Sequence, residues 1–176
     1  MISNERNMNY SAIRTFDIAD GPGVRVSLFV SGCTHHCKGC FNESTWDFAA
    51  GEPFTDETER RILEASEQPY IAGLTLLGGE PFEPVNQEGL VPFLRRWRAA
   101  NPGKDVWCYT GCVLEKDLLK PTRWRTPLTD EMLSMIDVLV DGPFVESLKD
   151  ISLRFRGSSN QRILDIRAGA AAATIK

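Results

Sequence analysis

The sequence predicts an α/β domain built as a partial (β/α) barrel of mostly parallel strands, and three observations predict it. Short apolar runs alternate with stretches of helical periodicity, the pattern of strand–helix–strand units joined by right-handed crossovers. Each apolar run stops at a turn carrying glycine, cysteine or aspartate. The chain has 176 residues, whereas a complete eight-fold barrel takes about 250, so the sheet is expected to stay open.

The elements follow in chain order. Residues 1–7 are polar and precede a second methionine, Met8; they read as an N-terminal extension, with Met8 as a candidate start. Asp20-Gly21-Pro22-Gly23 is a turn signal, and Val24 to Val30 reads as a strand entering a core. The cysteine loop follows at once. Thr55 then caps a helix running to about Ser66, with Thr58 three positions on in place of the Glu or Gln of a full capping box. Leu74 to Leu77 reads as a buried strand stopped by Gly78-Gly79. Asn86 to about Ala100 is a helix, with Leu90, Phe93, Leu94 and Trp97 at helical spacing. Asn101-Pro102-Gly103 ends it. Asp105 to Tyr109 is the next strand, Thr129 to Ile136 a helix, and Val138 to Val140 a strand closing at Asp141-Gly142-Pro143. Ile151 to Arg167 is expected to add a hairpin or strand. Residues 8–167 thus form the domain, and the alanine-rich stretch 168–176 a disordered tail. Trp46, Trp97 and Trp107 are expected in the core.

In parallel α/β sheets the functional groups gather at the C-terminal ends of strands. The cysteines, the Gly78-Gly79 turn, Tyr109-Thr110-Gly111 and Asp141-Gly142 each directly follow a predicted strand.

Composition narrows the function. Hydrophobic residues at 42% and charged residues at 25% suit a globular core and not disorder. A net charge of −4 with no clustered Lys and Arg argues against nucleic-acid binding. No apolar run approaches the ~20 residues that span a bilayer, and residues 1–10 lack the apolar centre of a secretion signal. No membrane partner is expected, and a cytoplasmic location is. Thiols stay reduced there, so clustered cysteines speak for metal or redox chemistry before disulfides.

Cys33, Cys37 and Cys40 stand in a C-x3-C-x2-C spacing on one loop. Thiolates are soft ligands for iron–sulfur clusters, zinc or copper(I). Three of them can ligate three irons of a cubane and leave the fourth open to an exogenous ligand. Zinc competes on spacing alone, because His35 or His36 can supply a fourth ligand; a solvated place in a polar loop is the plainer reading of both. Cys108 and Cys112 read as small buried hydrophobes. Gly78 and Gly79 let a backbone approach a ligand closely, with an ordinary strand-to-helix turn as the competing reading. Asp141 reads equally as a turn former and as a site residue.

The C-x3-C-x2-C motif directly after a first strand resembles the radical S-adenosylmethionine superfamily. Asp20-Gly-Pro-Gly-Val-Arg25 before that strand, and Cys40-Phe-Asn-Glu-Ser-Thr-Trp46 after the loop, resemble its glycyl-radical-enzyme activases. Further similarities lie in Gly78-Gly-Glu-Pro81, Pro102-Gly-Lys-Asp-Val-Trp107, Leu139-Val-Asp-Gly142 and Arg156-Gly-Ser-Ser-Asn-Gln161. Together they resemble the activases of anaerobic ribonucleoside-triphosphate reductase, over about Met8 to Arg167. The resemblance implies a radical S-adenosylmethionine type of fold and a [4Fe–4S] cluster on Cys33, Cys37 and Cys40. It implies S-adenosylmethionine contacts at Gly39, Cys40, Phe41, Gly78, Gly79 and Glu80, with the cofactor's amino group held by backbone carbonyls of the glycine turn and Glu80 adding charge. It further implies reductive cleavage to a 5′-deoxyadenosyl radical, hydrogen abstraction from a glycine of the reductase, and reduced flavodoxin as electron donor; no catalytic acid or base is called for. One departure stands out. Many superfamily members carry an aromatic residue just before the last cysteine, where this chain has Gly39; Phe41 follows instead. Backbone contacts at 39–41 survive that change, and ring stacking from position 39 does not. The rival readings are an activase of pyruvate formate-lyase or another glycyl radical enzyme, and a non-enzymatic zinc or iron–sulfur module.

Overall fold

The computed structural model describes residues 7–168 and 173–174. The predicted extension and tail, apart from Asn7, Ala168, Ala173 and Thr174, lie outside the described residues. The strands are β1 (Asn9–Asp17), β2 (Val24–Val30), β3 (Glu52–Pro53), β4 (Ile71–Gly78), β5 (Asp105–Tyr109), β6 (Val138–Asp141), β7 (Arg162–Asp165) and β8 (Ala173–Thr174). The helices are α1 (Asp56–Ser66), α2 (Pro84–Ala100) and α3 (Thr129–Ser134). One sheet takes all eight strands in the order β3-β1-β2-β4-β5-β6-β7-β8, so it is open and does not close into a barrel. Parallel pairing joins the four central strands, β2, β4, β5 and β6. Antiparallel strands extend both flanks.

The three crossovers, β2 to β4, β4 to β5 and β5 to β6, step the same way along the sheet. Right-handed connections therefore place α1, α2 and α3 on one face, where α2 packs against both others. Side chains alternate across a strand, and the two faces differ in kind. Val26, Leu28 and Val30 of β2, Leu74 and Leu76 of β4, Val106 and Cys108 of β5, and Leu139 of β6 join the helices in one apolar core. Their alternates, among them Arg25, Ser27, Thr75, Trp107 and Tyr109, form a mixed polar and aromatic face. That face has a helix-free side to line, and it becomes the floor of a cleft.

Arg25 fixes the foot of this floor. It is fully buried, donates to Thr75 Oγ1 (2.8 Å), Pro22 O and Leu74 O, pairs with Asp105 at 2.5 Å and stands over the Trp107 ring.

The α/β class and the strands at Val24–Val30 and Asp105–Tyr109 are as the sequence predicts. Thr55 caps α1 as expected, accepting from the Thr58 amide at 3.3 Å. Strand β1 was not legible. Register shifts at Tyr10/Ala12 and Arg14/Asp17 interrupt its pairing with β2 and break the period-2 pattern. In the stretch Ile151 to Arg167, Arg162–Asp165 is the strand, and the residues before it form a looped rim. Among the described residues no helix is long and apolar enough to cross a membrane.

Candidate functional site

A cleft of about 540 Å³ opens where the four parallel strands end. Each strand contributes the segment that follows it: the cysteine loop after β2, Gly78-Gly79-Glu80 at the end of β4, Thr110-Gly111 after β5 and Gly142 after β6. The sequence placed these four segments together, and the structure does the same.

Cys33, Cys37 and Cys40 are free thiols, all lining the cleft. The Cys33 amide donates to Trp46 O (3.0 Å), the Cys40 amide to Cys37 O (3.1 Å), and the Asn42 amide to Cys40 Sγ (3.4 Å). Burial, and then the charge of Glu80, push the Cys33 thiol up to about 12; burial also raises Cys37. A bound cation offsets that cost for Cys33 and Cys37, as a metal centre does. Neither histidine is free in the cleft: His36 is not among its lining residues, and His35 is tied to Glu80. His36 stacks on Trp46, and His35 stacks on Trp124 with its Nε2 2.8 Å from Glu80 Oε2. Three soft thiols are thus the donor set facing the cleft, which fits an iron–sulfur cluster.

Glu80 is the hub of the site. It is buried, and its two oxygens accept from the Phe82 amide (2.9 Å), Thr110 Oγ1 (2.8 Å), the Gly111 amide (2.8 Å) and His35 Nε2. One carboxylate thus ties the cysteine loop to the ends of β4 and β5. Burial disfavours protonation of His35, but the bond to Glu80 and its charge outweigh that and raise the imidazole's pKa. Cys112 Sγ lies 3.7 Å from the same Nε2 in the core, and burial raises its pKa.

The start of α2 adds further ties. Glu83 accepts from the Thr34 amide (2.8 Å) and hydroxyl (2.7 Å), and Asn86 Nδ2 donates to Ser31 O (3.0 Å) and Glu80 O (2.9 Å). Gly79 explains its own side-chain absence here. A Cβ on it would lie 2.5 Å from Gly32 O, so the turn presses directly on the backbone of the cysteine loop. Gly78 adopts φ +104°.

Other predicted positions divide. Cys40 and Phe41 line the cleft, Phe41 packing on Phe144 at 5.1 Å, whereas Gly39 is exposed and faces Glu146. Asp141 is buried away from the cleft, accepting from the Leu114 amide (2.9 Å) and paired with Arg162 at 2.5 Å. Trp97 and Trp107 are core; Trp46 instead lines the cleft. Trp46 Nε1 and Tyr109 Oη are both buried there without a hydrogen-bond partner, which suits a cleft that holds a polar ligand. Sequence reasoning missed Thr34, which lies inside the cysteine loop, and Glu83, Asn86 and Trp124, which carry no motif and meet that loop only through the fold.

Three thiols on one loop, gathered with a glycine turn at the ends of parallel strands, define an iron–sulfur protein, and the 4Fe–4S single cluster domain family matches residues 19–164. Over 158 residues the chain is 45% identical to the anaerobic ribonucleoside-triphosphate reductase-activating protein of Haemophilus influenzae, covering 89% of this chain and 97% of that protein. The protein of the same name from Escherichia coli K12 is 43% identical, with 91% and 100% covered. That of Enterobacteria phage T4 is 40% identical, with 89% and 93% covered. The chain belongs to the 4Fe–4S single cluster domain family and, within it, to the anaerobic ribonucleoside-triphosphate reductase-activating proteins.

Proposed function

We propose that this chain is a radical S-adenosylmethionine enzyme of the cytoplasm that installs a glycyl radical on an anaerobic ribonucleoside-triphosphate reductase, with reduced flavodoxin as electron donor. The observation that carries the reading is the meeting of the Cys33–Cys37–Cys40 loop and the Gly78-Gly79-Glu80 turn in one cleft. The names of the relatives support the partner. The open sheet, with helices on one face and a cleft on the other, agrees with a partial barrel of the radical S-adenosylmethionine type. When bound, the cluster and S-adenosylmethionine supply the reductive cleavage that yields methionine and a 5′-deoxyadenosyl radical.

The chain's own residues bind, orient and shield. Cys33, Cys37 and Cys40 would hold three irons of the cluster. The backbone of Gly78 and Gly79 would hold the cofactor's ammonium through its carbonyls; the Glu80 carboxylate, saturated by its four donors, fixes the loops around that turn. Tyr109 Oη and Trp46 Nε1 offer donors inside the cleft. Phe41 and Phe144 form an apolar rim that limits water around a radical intermediate.

The test is anaerobic reconstitution, followed by reductant, S-adenosylmethionine and the cognate reductase. About four irons should bind per chain, and an EPR-detectable glycyl radical should form on the reductase. Cys37→Ala should lose the cluster and the radical, while Cys108→Ala keeps both. Turnover of a small metabolite with no protein radical sinks the reading.

A further inference from the structure

One rim of the cleft is built unlike the rest. Residues 144–157 run along its mouth as a loop, yet the loop is fixed. Gln161 Oε1 accepts from the Gly157 (2.9 Å) and Ser158 (3.1 Å) amides, Asn160 Nδ2 donates to Pro143 O (2.8 Å), and the Ser159 amide donates to Leu148 O (2.9 Å). Phe155 is turned inward at φ +56°, a strained conformation for a bulky residue, and its ring packs on Trp107 at 5.5 Å. With its anchors inside, the rim holds other apolar side chains in water: Ile151 is 92% exposed, Leu148 43% and the adjoining Phe41 65%. A single exposed isoleucine is ordinary; several around one cleft mouth are a patch.

The rim's charge also departs from that of the molecule. The chain carries −4, but the rim, residues 144–157, holds Lys149, Arg154 and Arg156 against Glu146 and Asp150, and Glu146 pairs with Lys38 at 3.3 Å. Asp150 is turned back onto Ser152, accepting from its amide (2.8 Å) and hydroxyl (2.6 Å). Lys149 stands over the Phe41 ring and Arg154 over Phe155, so cations alternate with apolar surface.

We infer that this rim is the docking surface for a segment of the substrate protein in which apolar side chains are flanked by Asp or Glu. The inference rests on the proposed function, since the occupant is the polypeptide that feeds a loop into the adjoining cleft. Apolar anchors supply residence, and opposite charge speeds and orients encounter.

The experiment separates docking from chemistry. Leu148→Asp, Ile151→Asp and Arg154→Glu are made in the full chain and reconstituted anaerobically. Dithionite-driven S-adenosylmethionine cleavage without the reductase should match the parent. The reductase concentration giving half-maximal glycyl radical should rise on the order of tenfold or more in Ile151→Asp. Added salt should weaken the parent more than Arg154→Glu. Unchanged half-maximal concentrations in all three variants overturn the inference. So does a loss confined to flavodoxin-driven cleavage, which gives the rim to the electron donor. A parent that sediments as a dimer and an Ile151→Asp variant that is monomeric give it to a second copy. If the parent makes no radical on the reductase, the underlying function falls and this inference with it.

Discussion

Arg25 and Glu80 stand at opposite ends of the same parallel strands, each buried and each engaged by four hydrogen bonds. Their partners differ. Arg25 is held by Leu74 and Thr75 in the middle of β4, the first residue of β5 and the Pro22 carbonyl, so it ties β4 to the beginnings of β2 and β5 and to the turn that enters β2. Glu80 is held almost wholly by loops, and each of those loops carries something that faces the cleft. A buried charge is expensive unless every lone pair or proton is satisfied. At the foot that satisfaction maintains the sheet; at the top it sets the distance between the cysteine loop and the glycine turn.

Arg25→Leu should break the foot and give the largest loss of stability. It leaves Thr75 and the Leu74 carbonyl without their donor and Asp105 without its cation. Losing one side of such a network costs about 3 kcal/mol. Urea denaturation of the metal-free protein should show that loss, while folded variant reconstituted at low temperature still takes up its full iron. A variant as stable as the parent would show that water replaces the guanidinium at the foot.

Glu80→Gln tests the top with a smaller expected loss of stability, about 2 kcal/mol, because the amide keeps one acceptor and turns an NH2 toward two donors. Its second effect is the distinguishing one. With His35 released, Trp124 loses its stacked partner, and its fluorescence should change. Iron should also leave faster under a chelator than from Arg25→Leu. Equal iron retention in the two variants would erase the distinction between the two ends.

How far the sequence foretold these ends follows from how local each is. The strand ends carrying the cysteines, Gly78-Gly79, Thr110-Gly111 and Gly142 were legible, because apolar runs and turn residues announce them within a few positions. The roles of Glu80 and Gly79 were only half legible. Motif likeness pointed both at the cofactor, yet Glu80 spends its oxygens on four protein donors, and Gly79 meets Gly32 O across 47 residues of chain. Arg25 was visible only as part of a motif; nothing in an isolated sequence says that an arginine in a strand will be buried against Asp105. Strand β1 escaped because its register shifts erase the alternation by which half-buried strands are recognised.

Between the two hubs lies a carboxyl that lacks what both have. Asp20 lines the cleft on the turn that leads to Arg25, and it stands against the Asp17 carboxyl instead of a cation. Burial first, then the neighbouring Asp17 carboxyl and its charge, raise it to about 7, with Arg14 acting weakly the other way. Asp17 moves oppositely: burial would raise it, but the nearby Asp20 and Ser27 and the Ala19 amide, which donates to its Oδ1 at 2.8 Å, lower it. An unfolded aspartate titrates near 4. Between about 4 and about 7 the folded chain therefore binds more protons at Asp20 than the unfolded chain does. Stability from this group is complete below about 4 and is lost as pH rises toward 7 and beyond. The contribution of Asp17 has the opposite sign and a lower window, being present above about 4 and lost as pH falls. Asp20→Asn keeps a donor for Asp17 and removes the titration. Comparing parent and variant by urea denaturation, metal-free, cancels the titrating groups that are not coupled to Asp20. The variant should match the parent near pH 4 and exceed it at pH 8 by about 1 kcal/mol, a modest figure because solvent screens a half-buried site. A constant difference across that range would mean that the Asp17–Asp20 pair is ionised throughout and that no shared proton links the two carboxyls.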